Sequence, residues 1–134
     1  MPVTLEEAHE LIARAHRRAG ELGSHVTVAI VDEGGHLQAL GRMDGAPPLS
    51  AQLATGKAAS VALIRRDGAA LRDMQQAWPA LFGQLDQVAG RPILAGAGSL
   101  LIRRADTVLG AIAVSGGQPQ HDDECAEAGL RGLE

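Results

Sequence analysis

The sequence predicts one α/β domain of the α+β type over residues 1–134, with an antiparallel sheet covered by helices. Two observations predict this class. Helical hydrophobic patterns open and close the chain, and between them two pairs of β-rich runs are each joined by a short turn. Short turns join antiparallel strands, and helices at both ends of the chain can cover the two faces of the sheet. The order of elements excludes a Rossmann fold, in which strands and helices alternate.

The first helix is predicted over residues 5–22. Apolar side chains recur at steps of three and four residues and form one face. Thr4 followed by Glu7 is typical of a capping box, and Gly23 occupies a position where helices end in left-handed backbone. The residues of the apolar face are Leu5, Ala8, Ile12, Ala15, Ala19 and Leu22.

A β-hairpin and a second helix are predicted next. Strands around residues 26–30 and 37–41 flank a turn at 33–36, and the paired prolines in 43–48 indicate a loop. The helix is predicted over 50–66, with Ser50 as its cap and Asp67-Gly68 as its break.

The second half is predicted to hold two or three strands and a last helix. Residues 69–90 are expected to form only one or two short helical turns around Trp78-Pro79. Within 91–117, strands at 99–103 and 108–115 flank a turn, and the last helix is predicted over 122–130.

Composition limits the classes of partner. A net charge of −4, one Trp, one Phe and no Tyr argue against nucleic-acid binding, and no apolar run is long enough for a membrane helix. The absence of a signal-like leader and the single Cys125 predict a cytoplasmic protein, although export after removal of a leader stays open. A core built from so many small residues predicts a homo-oligomer.

The segment "AVSGGQPQHDDECAEAG" is the first candidate site. Gly116 and Gly117 allow a sharp turn and a close approach of backbone to a ligand, and amides entering a helix favour a carboxylate or phosphate. Ser115 and His121 lie beside this turn. The alternative is that Asp122 or Asp123 only caps the helix.

The segment "RMDGA" and the lysine of "ATGKAASVA" form a second group. Arg42 could hold a carboxylate through two hydrogen bonds, and Met43 offers a thioether ligand to haem iron. A surface ion pair of Asp44 with Arg42 or Lys57 is the alternative, and Lys57 could equally be a lysine whose stem packs while its amine reaches solvent. The histidines form no metal motif, although His36 and His121 are placed to act as single axial ligands, and Cys125 is expected to pack.

Taken together, residues 31–47, 54–62 and 110–130 resemble the GlcG/HbpS family of haem-binding proteins, which includes the C-terminal domain of the PduO adenosyltransferases. The shared motifs are Asp-x-Gly-Gly, Arg-Met-Asp-Gly-Ala, Lys-Ala and Val-Ser-Gly-Gly followed by Asp-x-x-Cys-Ala-x-Ala-Gly. The resemblance implies a five-stranded antiparallel sheet between helices, a profilin-like fold of three layers. It also implies homo-oligomers from dimer to octamer, of which some bind or degrade haem or sense corrinoids.

The resemblance implies that these residues surround one pocket. Arg42 and the Gly116–Gly117 amides would bind a carboxylate or haem propionate, Lys57 would pair with Asp44, and His121 or Met43 would approach iron. The full set of predicted site residues is Arg42, Met43, Asp44, Lys57, Ser115, Gly116, Gly117, His121 and Asp122.

Three hypotheses for function follow. The first is a haem or tetrapyrrole-binding protein that senses, buffers or degrades its ligand. The second is an enzyme on a small organic acid, with Lys57 and either Asp44 or Asp122 transferring protons. The third is a structural oligomeric subunit without ligand chemistry.

Overall fold

The computed structural model of the protein describes residues 2–133. The elements within them, in chain order, are α1 (Leu5–Glu21), β1 (Thr27–Asp32), β2 (Leu37–Arg42), α2 (Ser50–Ile64), α3 (Gly68–Ala77), α4 (Pro79–Phe82), α5 (Leu85–Ala89), β3 (Ser99–Arg104), β4 (Thr107–Ser115) and α6 (Pro119–Leu130). The predicted order of helix, hairpin, helix, two or three strands and helix is confirmed, with two strands in the second half. The segment between α2 and β3, which was expected to form only one or two short helical turns, contains the three helices α3, α4 and α5.

The sheet has the order β2-β1-β4-β3, and every neighbouring pair is antiparallel. The prediction of five strands is wrong, since the described residues form four. Residues 91–98 do not supply a further strand because their backbone bonds to other partners. Pro92 has no N–H, and the Leu94 N–H donates to Ser60 Oγ of α2 at 2.9 Å.

Alternating side chains on the central strands divide the core into two layers. Val28 and Ile30 of β1 pack with buried residues of α1 and α6, whereas Ala29 and Val31 pack with those of α2 and α3. Alternation is the period of a strand, so both faces of the sheet are buried. The result is a three-layer arrangement with the sheet in the middle.

The first helix follows its prediction closely. The Glu7 N–H donates to Thr4 Oγ1 at 3.1 Å and the Thr4 N–H donates to Glu7 Oε1 at 2.9 Å, which confirms the capping box. The predicted apolar face is wrong at one residue: Leu5 in the first turn is 49% exposed, and Leu11 is fully buried instead. The buried stripe therefore runs from Ala8 through the next turn at Leu11.

The middle of the chain is more helical than predicted. The second helix ends at Ile64 rather than 66 because Arg65 adopts left-handed backbone, with φ 66°. Gly68 does not break a helix but begins the ten-residue α3. A side chain at Gly68 would overlap the Gly96 carbonyl oxygen and Ser99 Oγ, so glycine is required for α3 to start against the segment before β3.

The last helix begins three residues earlier than predicted, at Pro119. Proline is favoured in the first helical turn because its missing N–H would have no intrahelical partner there. Ser50 is likewise the first residue of α2 and not its cap, since its hydroxyl contacts Thr27 Oγ1 at 2.7 Å and donates to the Pro47 carbonyl at 2.6 Å. Among residues 2–133, no helix combines the length and apolar character needed to cross a lipid bilayer.

Two glycines provide a matched test of the packing. A Cβ at Gly110 in β4 would overlap the Val31 carbonyl oxygen of β1, whereas a Cβ at Gly20 in α1 would meet nothing within 4 Å. We expect Gly110→Ala to lower the free energy of unfolding by about 3 kcal/mol. Gly20→Ala should raise it by about 1 kcal/mol, because alanine is the better helix former. Urea denaturation measures both, and a stable Gly110→Ala variant would contradict the close approach of β1 and β4.

Candidate functional site

The site centres on Lys57, the only lysine in the sequence. It lies on α2 at a position where the helix crosses the ends of two strands, and its side chain is half-buried. The Nζ atom donates to the Ala97 carbonyl at 2.7 Å and to the Val114 carbonyl at 2.6 Å. An ammonium group has three N–H bonds, and no further acceptor among residues 2–133 takes the third.

These bonds replace part of the sheet ladder. In an antiparallel sheet, a hydrogen-bonded residue pair exchanges two bonds. Here the Val114 N–H donates to the Gly98 carbonyl at 2.7 Å, but the reverse bond is absent. Gly98 has left-handed backbone, φ +83°, and its N–H donates instead to Asp123 Oδ1 at 2.6 Å. Lys57 takes the Val114 carbonyl that Gly98 leaves open.

The amine opens onto a pocket of about 450 Å³ between α2, the end of β4, the start of α6 and residues 95–97. The polar lining comes from Lys57, Arg72, Ser115, Gly116 and Asp122, and the rest of the wall is mostly apolar. The remaining lining residues are Pro47, Leu49, Ser50, Leu53, Ala95, Gly96, Ala97, Gly117 and Pro119.

Asp122 provides the negative charge of this pocket. It is 5% exposed, and its Oδ1 accepts the Gly117 N–H at 3.1 Å. Neither Asp122 nor Asp123 therefore caps α6 in the predicted way, because both carboxylates accept N–H groups of glycines outside the helix. One of the two predicted anion-binding amides, that of Gly117, is thus already occupied.

Burial and neighbouring charges shift the pKa values of both Lys57 and Asp122. Desolvation lowers the pKa of Lys57, while the negative charges of Asp122 and Asp123 oppose this and nearby Arg72 adds to it. Desolvation likewise raises the pKa of Asp122, while the Lys57 charge and the Gly117 hydrogen bond oppose it. Both shifts favour uncharged forms, which is typical of groups placed to bind ligands or exchange protons.

His121 lies in a second pocket on the other side of the Gly116–Gly117 turn. This pocket has a volume of about 610 Å³, and Pro47, Gly116 and Gly117 line both pockets. The hydroxyl of Ser24 lies 3.3 Å from His121 Nδ1. The other wall residues are Leu22, Gly23, His25, Gly45 and Gln118.

The predicted "RMDGA" group is not part of the Lys57 pocket. Arg42 is exposed and donates to the Ala46 carbonyl at 3.3 Å, and Met43 Sδ accepts the Val26 N–H at 3.4 Å. Asp44 is exposed and forms no ion pair with any residue in 2–133, so the predicted Lys57–Asp44 pair is wrong. The Lys57 stem passes over Gly96 toward Ala97, and the nearby carboxylates belong to α6.

Cys125 and His36, which the sequence also singled out, line neither pocket. Cys125 is fully buried, and desolvation raises the pKa of its thiol to about 11, so it packs as expected. His36 contacts Asp32 in the first hairpin turn, away from both pockets. Within residues 2–133, no three His, Cys, Asp or Glu side chains gather to hold a metal ion.

Sequence reasoning missed two contributors to the site. Arg72 lies on α3, which was not predicted, although Leu71 and Met74 at helical spacing were a signal for that helix. Gly98 is the other, because its left-handed backbone aims its N–H at Asp123. A Cβ at Gly98 would lie 2.7 Å from both Asp122 Cβ and the Val114 carbonyl oxygen, so only glycine fits.

The raised pKa of Asp122 predicts a pH-dependent stability. The native state binds the proton more tightly than the unfolded state, so this contribution is complete below the unfolded pKa and is lost as pH rises through the native pKa. Asp122→Asn keeps an acceptor for Gly117 and does not titrate. We therefore expect the free energy of unfolding of the variant, relative to the wild type, to increase as pH rises across this interval.

Urea denaturation at a series of acidic to neutral pH values measures that difference. Asp73→Asn, which changes an exposed residue of α3, is the control and should give a difference that does not change with pH. A flat difference for Asp122→Asn as well would mean that Asp122 is not desolvated by folding.

Relatives of known structure share this architecture over nearly the whole chain. The solved structure of a PduOC:heme complex is 27% identical, with a TM-score of 0.87, and the match covers 97% of this chain and 94% of that one. A double mutant of Streptomyces reticuli HbpS is 28% identical, also with a TM-score of 0.87, over 100% of this chain and 88% of that one.

Sequence comparison leads to the same group. The corrinoid adenosyltransferase PduO of Citrobacter freundii is 30% identical over 133 residues, which are 99% of this chain but only 39% of that protein. The chain therefore spans about two-fifths of this curated relative. A family model described as "Haem degrading protein HbpS-like" matches residues 3–131. The chain belongs to this HbpS-like family, as the motifs around Lys57 and Gly116–Gly117 predicted.

Proposed function

We propose that the protein binds haem or a related tetrapyrrole, with His121 as the ligand to the metal. The observation that carries this proposal is the contact of 3.3 Å between His121 Nδ1 and Ser24 Oγ at the wall of an open pocket. A metal-binding histidine commonly uses one ring nitrogen for the metal and the other for a hydrogen bond that orients the ring. No residue in 2–133 takes a hydrogen bond from or to His121 Nε2.

The residues of the second pocket fit a flat macrocycle. Four glycines line it, so a planar ligand can approach the backbone closely at these positions, and Leu22 and Pro47 add apolar surface. His25 is a second exposed imidazole on the same wall. Met43 does not fit as an axial ligand, because its sulfur already accepts the Val26 N–H and it lies outside this pocket. Bound haem would supply an iron centre for ligand exchange or redox chemistry.

Family membership supports the same ligand. The family description concerns haem degradation, and one related structure is a haem complex. We further propose that this chain degrades or senses haem and that it is cytoplasmic. Assembly into a homo-oligomer is a further proposal, supported by exposed leucines on β2, directly before α2 and on α2, namely Leu40, Leu49 and Leu53.

A hemin titration followed by absorbance tests the proposal. We expect the wild type to give a Soret band that saturates near one hemin per chain. His121→Ala should shift the band and weaken binding by about tenfold or more, because it removes the nitrogen ligand. His9→Ala, which removes an exposed imidazole on α1, should behave as the wild type.

Unsaturable binding that is equal in all three proteins would contradict the proposal, because hemin also adheres to apolar surfaces. It would favour either the organic-acid hypothesis or a structural subunit. Binding that is specific but unchanged in His121→Ala would contradict the assignment of His121.

A further inference from the structure

The hydroxyl of Ser115 lines the Lys57 pocket. Ser115 is 3% exposed, yet it makes no side-chain hydrogen bond with any residue in 2–133. No buried side-chain oxygen or nitrogen of residues 2–133 lacks a hydrogen-bond partner, so this unpartnered hydroxyl is accessible from the pocket. It is paired in register with Thr27, whose hydroxyl contacts Ser50 of α2. Paired residues of an antiparallel sheet project to the same face, so the Ser115 hydroxyl lies on the α2 side, where the pocket is.

Two cationic side chains that line the same pocket lie near each other. A Cβ built on Gly96 would lie 3.7 Å from Arg72 Nη2 and 3.7 Å from Lys57 Cδ, so both side chains pass over the same glycine. The Arg72 guanidinium forms neither a hydrogen bond nor an ion pair with any residue in 2–133. Lys57 has one N–H left after its two carbonyl bonds.

The backbone adds a further donor. Gly116 lines the pocket, and its N–H makes no hydrogen bond with the described residues. Four unused donor groups, of Lys57, Arg72, Ser115 and Gly116, therefore face one space. Arg72 and Gly116 are exposed and Lys57 is half-buried, so these donors are accessible to a ligand that enters from solvent.

The remaining wall limits the kind of anion. Leu49 and Leu53 line the same pocket and are partly exposed, so an apolar group beside the anion would find hydrophobic contact. A volume of about 450 Å³ is within the range of pockets for small molecules. Inorganic phosphate would satisfy the donors but would leave the leucines unused.

We propose that the Lys57 pocket binds a small organic acid through its carboxylate, with Lys57 and Arg72 contacting the carboxylate oxygens. The Ser115 hydroxyl and the Gly116 N–H donate to the same group, and the short carbon chain of the acid lies against Leu49 and Leu53. This site is distinct from the proposed haem site, since it lies on the other side of the Gly116–Gly117 turn.

A substitution of Asp122 provides a test in which binding of the acid should become tighter. Its carboxylate lies on the same pocket wall and repels an anion, so it limits the affinity for a carboxylate. Asp122→Asn removes the charge and keeps an acceptor for the Gly117 N–H. The variant should therefore bind the acid more tightly, which damage to the fold would not produce.

Titration calorimetry with butyrate tests the site. Wild-type protein should bind butyrate saturably and should not bind butyramide, which has the same shape without the charge. Arg72→Gln should weaken butyrate binding by about tenfold, as expected for loss of a charged hydrogen bond. Lys57→Met should weaken it by at least as much, and Asp122→Asn should tighten it.

Arg66→Gln is the matched control, because Arg66 is an exposed arginine that lies outside this pocket. It should bind butyrate as the wild type does. Because Lys57→Met leaves two carbonyl groups without a donor, its fold is checked by circular dichroism, and Arg72→Gln decides the test if it is unfolded.

A second arm separates a free acid from a haem propionate, which carries the same carboxylate. Protein saturated with hemin should still bind butyrate if the two sites are independent. Competition by hemin but not by its dimethyl ester would assign the pocket to a propionate and overturn the proposal. No saturable butyrate binding, equal binding in Arg72→Gln, or equal binding of phosphate and butyrate would also overturn it, whatever the outcome for His121 and hemin.

Discussion

The geometry of the Lys57 pocket depends on two hydrogen bonds, which Lys57 donates to the Ala97 and Val114 carbonyls. They fasten α2 to the last strand and to the segment that enters β3. A carbonyl that loses its donor in a desolvated place costs about 1–3 kcal/mol, so the amine satisfies groups that the sheet leaves open. The sheet leaves the Val114 carbonyl open because the Gly98 N–H donates to Asp123 instead. The interruption of the sheet at Gly98 and the position of the Lys57 amine therefore depend on each other.

The same contacts that end the sheet also form the pocket walls. Adjacent aspartates of α6 accept N–H groups from two separate segments, Asp122 from Gly117 and Asp123 from Gly98. This fixes the start of α6 against the end of β4, with the Gly116–Gly117 turn between two cavities. One cavity carries cationic and hydroxyl donors and the other carries imidazoles. The two proposed ligands, a carboxylate and a metal-bearing macrocycle, would therefore bind on opposite sides of one turn.

The sequence patterns were sufficient for α1, α2, α6 and the four strands, because periodicity, the Thr4–Glu7 box and two short turns are local signals. They also singled out Lys57 and the turn at Gly116. They did not predict α3. They failed where a residue's partner is distant along the chain. Asp44 was expected to pair with Lys57 because both lie in motifs shared with the family, whereas the fold brings the α6 aspartates near the amine. The fifth strand failed for a similar reason, because the backbone of 91–98 bonds to side chains of α2 and α6 that no local pattern reveals.

The central claim is that Lys57 is a desolvated ammonium held by two carbonyl groups. Protein labelled with ¹³C-lysine tests it directly, because the single lysine gives one Cε resonance whose shift can be followed against pH. The account predicts a midpoint below the ordinary lysine pKa of about 10.4, since desolvation outweighs the attraction of Asp122 and Asp123. A midpoint at or above the ordinary value would contradict it, because desolvation would then not outweigh the attraction of Asp122 and Asp123.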